Sequence, residues 1–91
     1  RIGGDSSISS QYNSVVNNVA FGNSGAGILL AQYAGYNSVS GNSSSGNAPT
    51  GIAEESTNVD YNAIVGNVCN DNASVNIVKN GAHSIEAGNI S

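Results

Sequence analysis

The sequence predicts an all-β chain wound as a parallel β-helix (solenoid) of about 3.5 coils, each of 22–25 residues. Three observations predict it: a phase-locked internal repeat, hydrophobic clusters of strand length, and Gly/Asn bends between them. Tyr12-Asn13-Ser14-Val15 returns as Tyr36-Asn37-Ser38-Val39 and again as Tyr61-Asn62-Ala63-Ile64, at spacings of 24 and 25 residues. The same landmarks follow each Tyr: Asn18, Asn42 and Asn67, then Asn23, Asn47 and Asn72, then Ile28, Ile52 and Ile77. A partial fourth copy closes the pattern, with Ile85 and Gly88-Asn89 standing for Ile64-Val65-Gly66-Asn67.

The elements follow in order within a single module, 1–91. Segment 1–11 carries Ile2 and Ile8 and reads as an incomplete N-terminal coil. The first coil, 12–35, holds Val15-Val16, Val19 and Ile28-Leu29-Leu30; the second, 36–60, holds Val39 and Ile52. The third, 61–82, holds Ile64-Val65, Val68 and Ile77-Val78, and 83–91 is a partial coil. These clusters are short and rich in β-branched residues, which favour a pleated, half-buried surface. Gly22-Asn23, Gly41-Asn42, Gly46-Asn47, Gly66-Asn67 and Gly88-Asn89 separate them, and both residue types tolerate the left-handed backbone of a sharp bend. No stretch carries a 3.6-residue period long enough for a helix. The period is close to that of leucine-rich repeats, but their leucine pattern is missing.

Coils stacked about 4.8 Å apart place equivalent residues directly above one another. Asn18, Asn42, Asn67 and Asn89 are predicted to form one ladder of amides, and Asn23, Asn47 and Asn72 a second. Tyr12, Tyr36 and Tyr61 are predicted to stack as a third ladder that ends at His83. Cys69 falls in phase with Ala20 and Ser44, which argues for a small-volume core position rather than a nucleophile. Three sequons begin at Asn42, Asn72 and Asn89, all of them ladder positions, and are expected to stay unmodified.

Composition narrows the function. Only 9% of residues are charged, the net charge is −4, and Arg1 and Lys79 are the only Lys/Arg cations. A chain this poor in cations lacks the electrostatic footprint of a nucleic-acid or anionic-membrane partner. The longest apolar stretch, 28–34, is broken by Gln32, so no membrane insertion is expected. One cysteine excludes an internal disulfide. The start at Arg1 points to a processed product or a piece of something longer.

The Tyr-Asn-x-(Val/Ile) phrase, followed at fixed intervals by Asn, Asn and Ile, resembles right-handed parallel β-helix repeats of the pectate-lyase-like and NosD-like kind. Such repeats occur in polysaccharide-acting proteins, surface proteins and phage tail spikes. The resemblance spans nearly the whole chain, from Tyr12 to Asn89, and implies fold far more sharply than activity. Enzymes of that kind place carboxylates on one outer face. Here Glu54, Glu55 and Asp60 share the longest inter-strand loop and form the one candidate surface site. Adjacent residues of a strand point to opposite faces, so Glu54 and Glu55 are poorly placed for paired-carboxylate catalysis; a solvated loop is favoured, with Ca²⁺ ligation as the only cofactor reading.

The expected function is therefore a structural module of an extracellular, cell or virion surface, with no catalytic constellation of its own. A stack of 3.5 rungs is only about 17 Å tall and shows no helical cap, so its partners are expected at its coil ends or lateral faces: itself, neighbouring β-helix segments, and polysaccharide. The rivals are a non-catalytic fragment of a carbohydrate-active enzyme and a self-polymerising filament or sheath subunit.

Overall fold

The computed structural model describes residues 1–5 and 9–91; the strand expected around Ile8 lies outside the described residues. The described residues form ten short strands: β1 (Ser14–Val16), β2 (Val19–Phe21), β3 (Ile28–Leu30), β4 (Ser38–Ser40), β5 (Ser43–Ser45), β6 (Thr50–Glu54), β7 (Ala63–Val65), β8 (Val68–Asn70), β9 (Val75–Val78) and β10 (Ile85–Ala87). They form three sheets, ordered β1-β4-β7-β10, β2-β5-β8 and β3-β6-β9. Every pairing is parallel and joins a strand to its equivalent one coil later. The architecture is thus a β-solenoid of about three turns. Isolated bridges extend it at both ends, Ile2 onto Leu30 and Ile90 onto Val68.

The corners have a common construction. Each ladder Asn follows a residue with positive φ. After the first side these are Asn17 (59°), Gly41 (66°), Gly66 (69°) and Gly88 (64°); after the second, Gly22 (69°), Gly46 (65°) and Asp71 (55°). At the third corner the left-handed residue is a tyrosine: Tyr12 (59°), Tyr36 (56°) and Tyr61 (61°). A bulky side chain in this conformation costs about 1–2 kcal/mol. Gly51, the second residue of β6, meets a different demand. A Cβ there would lie 2.6 Å from both Asn72 Nδ2 and the Asn76 carbonyl oxygen, so only glycine lets the chain pass the ladder so closely.

Strand pairing defines the inward columns. Val15, Val39, Ile64 and Glu86 form one; Ala20, Ser44 and Cys69 a second; Ile28, Ile52 and Ile77 a third; Leu30 and Glu54 a fourth. Leu30, Val39, Ile52, Ile64 and Cys69 are fully buried, whereas Val15 and Ala20 in the first coil are only partly covered. Each fully buried aliphatic side chain contributes about 1.5–3 kcal/mol, so the core is concentrated in the middle coils.

The register corrects the sequence alignment of the last coil. Ile85 pairs with Ala63, and it is Glu86 that takes the place of Ile64. The Gly-Asn corner sets the phase there. Ile85 faces outward and is exposed.

Candidate functional site

Three asparagine ladders hold the coils together, one at each corner. In the first, Asn42 Oδ1 accepts from both Asn18 N (2.9 Å) and Asn18 Nδ2 (3.2 Å). Asn42 in turn donates from Nδ2 to Val15 O (2.8 Å) and Asn67 Oδ1 (2.9 Å). Asn67 repeats the pattern onto Asn89 at 2.8 and 2.9 Å. Asn23, Asn47 and Asn72 do the same at the second corner. A third ladder, Asn13-Asn37-Asn62, runs beside the tyrosines and was missed in the sequence reading, although each of its members follows the landmark Tyr. Asn37, Asn42, Asn47, Asn62 and Asn67 are all buried, and among the described residues no buried side-chain nitrogen or oxygen lacks a partner. Asn42 has its amide committed to three acceptors, which leaves the nitrogen of that sequon enclosed.

The ladders end differently at the two faces of the stack. On the N-terminal coil Asn13, Asn18 and Asn23 are exposed; in the coil that follows, the equivalent Oδ1 atoms of Asn37, Asn42 and Asn47 each accept from the coil before. On the C-terminal side two ladders are closed by local substitutes. Asn72 donates to Asn76 Oδ1 from N (3.3 Å) and Nδ2 (2.9 Å). Asn62 has no Asn beneath it; Ser84 Oγ accepts from Asn62 N (3.0 Å) and Glu54 Oε2 accepts from Asn62 Nδ2 (3.0 Å). Serine and glutamate together supply the two acceptor positions that one asparagine oxygen fills elsewhere. Only Asn89, whose Nδ2 donates to Ile64 O (2.8 Å), leaves its ladder open.

This disposes of the expected surface carboxylate site. Glu54 is not in a solvated loop: it ends β6, is 1% exposed, and its carboxylate also receives Gly81 N (2.9 Å) and Ser84 Oγ (2.5 Å). An inward strand position places it there, in the column of Leu30, where a buried carboxyl group needs hydrogen-bond partners. Glu55 points the other way, is exposed, and accepts Gln32 N (3.1 Å). Asp60 belongs to a third environment, bonded to His83. The three carboxylates do not converge, and among the described residues no group of His, Cys, Asp and Glu could hold a metal ion.

The aromatic ladder is an exposed flank rather than a buried one. Tyr12, Tyr36 and Tyr61 are 78%, 47% and 47% exposed. Their rings stack at 5.7 and 5.0 Å, and Tyr61 stacks on His83 at 4.5 Å with the planes 2° apart. Stacking of this kind offsets part of the left-handed backbone cost at each tyrosine. Asp60 orients the last ring: its Oδ2 lies 2.7 Å from His83 Nδ1, and its Oδ1 accepts His83 N (2.7 Å) and Tyr61 N (2.8 Å). Burial alone would raise the pKa of Asp60, but the hydrogen bonds from His83 and Tyr61 and the imidazole charge outweigh it and lower the pKa to about 2. Shallow grooves flank the stack, one of about 370 Å³ lined by Tyr36, Asn62, His83 and Ile85, the other of about 220 Å³ beside Tyr33, Asn58 and Asp60.

Cys69 is fully buried, and burial, with repulsion from Glu86, pushes its thiol up to about 11. That is a core thiol, not an activated nucleophile. No protein-family model, curated protein or solved structure matches this chain.

Proposed function

We propose that this chain is a structural β-solenoid module of an extracellular, cell or virion surface, and that it acts by stacking its coil faces on other parallel β-coils, those of a longer solenoid or of further copies. The open N-terminal coil carries this reading. There Asn13, Asn18 and Asn23 present three ladder acceptors around Val15 and Ala20, two core side chains left half-covered. Unpaired strand edges and open ladders are templates for another coil. The test is sedimentation velocity and electron microscopy of the purified chain against concentration, beside Val15→Lys. Association that grows with concentration and is lost in the variant supports the reading; monodisperse monomers at millimolar concentration contradict it.

A second reading has its own observation. The exposed Tyr12-Tyr36-Tyr61-His83 stack offers a row of ring edges and phenolic hydroxyls, and both flanking grooves could seat an extended polysaccharide. Affinity electrophoresis in acidic and neutral polysaccharides would show retardation that Tyr12→Ala weakens. Incubation with the same polymers and assay for new reducing ends tests the carbohydrate-enzyme alternative; we expect none, because Glu54 is buried, Glu55 is exposed and Asp60 is tied to His83.

A further inference from the structure

We propose that the C-terminal face of the stack is a built-in brake, in which Glu86 limits head-to-tail stacking of a second copy of this chain. The inference rests on the coil faces being docking surfaces and adds which face limits growth.

The register carries it. Glu86 stands in the column of Val15, Val39 and Ile64, so its side chain points to the core side of β10. Its neighbours confirm the pleat, since Ile85 faces outward into the groove beside Tyr61 and His83. The Glu86 charge is also felt at Cys69, an inward residue of β8. Inward-pointing charge at a sheet edge is an established means of preventing further pairing. The same face has two of its three ladders closed, by Asn76 and by Ser84 with Glu54.

A second copy is the occupant because the N-terminal coil is the match for what remains open. Asn89 keeps amide valence for an acceptor one coil further on, and Asn18 presents such an acceptor. In that arrangement Val15 of the next copy lies under Glu86. The carboxylate would then be enclosed between Ile64 and Val15. Lys79, the one lysine of the sequence, already donates to Gly81 O (3.0 Å). Desolvating an unpaired carboxylate opposes association strongly, while a neutral aliphatic group in the same column would extend the core.

The experiment is sedimentation velocity on the full chain and on Glu86→Val, Glu86→Gln and Glu86→Lys, each checked for β-structure by circular dichroism. Glu86→Val is expected to associate at a concentration about tenfold or more below the parent chain and to form longer particles. Glu86→Gln falls between them, and Glu86→Lys associates no better than the parent. Should the valine variant misfold, the glutamine variant decides. If both neutral variants associate at the parent concentration while Val15→Lys still abolishes association, stacking stands and the brake is overturned. If neither the parent chain nor any variant associates, both are overturned.

Discussion

At the scale of the residue, the asparagines set the fold. An interior ladder Asn satisfies backbone and side-chain groups of two coils at once, so its removal orphans buried donors above and below. Asn42→Ala should lower the free energy of unfolding by about 3 kcal/mol, whereas Asn18→Ala, at the exposed end of the same ladder, should cost less than about 1 kcal/mol. Urea unfolding of the two variants measures the contrast; equal losses would show that the ladders do not bear the stability assigned to them. Cys69 gives a second residue-scale prediction. With its thiol buried and pushed up to about 11, labelling by a thiol reagent at pH 8 should be slow in the folded chain and immediate in urea. Rapid labelling without denaturant would contradict its core position.

The repeat made two of the ladders legible in the sequence, because Asn18/42/67/89 and Asn23/47/72 keep their phase along the chain. The Asn13/37/62 ladder carried the same signal but was hidden by the more conspicuous tyrosine before each member. The ladder ends were not legible at all. That Ser84 and Glu54 jointly replace an asparagine depends on which residue lies beneath Asn62 and on which side of β6 Glu54 points. Spacing alone does not specify either.

At the scale of the element, the last coil is held by side chains as much as by strand pairing. Asp60 fixes His83 against Tyr61, while Glu54 fixes Gly81 and Ser84 from the inside. The Asp60 contribution is pH-dependent with a defined sign. Its pKa falls from the ordinary 3.8 to about 2 on folding, so as the pH drops the unfolded chain takes up the proton first. The stabilisation is complete above about pH 4, erodes between about pH 4 and pH 2, and is gone below that. Asp60→Asn should therefore flatten the fall of the urea midpoint across that window. Parallel curves for the two proteins would show that the His83 pairing contributes nothing to stability. The one-residue shift at Ile85 and Glu86 belongs to this scale too. Matching the last coil by its isoleucine put a hydrophobe inward, whereas the Gly88-Asn89 corner, which controls backbone phase, puts a glutamate there. A slip of one residue in a strand exchanges its faces.

At the scale of the whole molecule, the two faces of the stack are unlike. The N-terminal coil offers open ladders and half-covered core, and the C-terminal coil offers closed ladders and an inward charge. Head-to-tail association, though restrained by Glu86, has one defined register, with Asn89 of one copy a rung away from Asn18 of the next. That register can be captured covalently. In a Cys69→Ser background, Asn18→Cys and Asn89→Cys chains would be mixed and oxidised, since a rung of about 4.8 Å brings paired cysteines within disulfide reach. Disulfide-linked dimers containing one chain of each kind are expected, and fewer of them when Val15→Lys is added. Dimers formed only between like chains, or no cross-linking at concentrations where the chain associates, would contradict it.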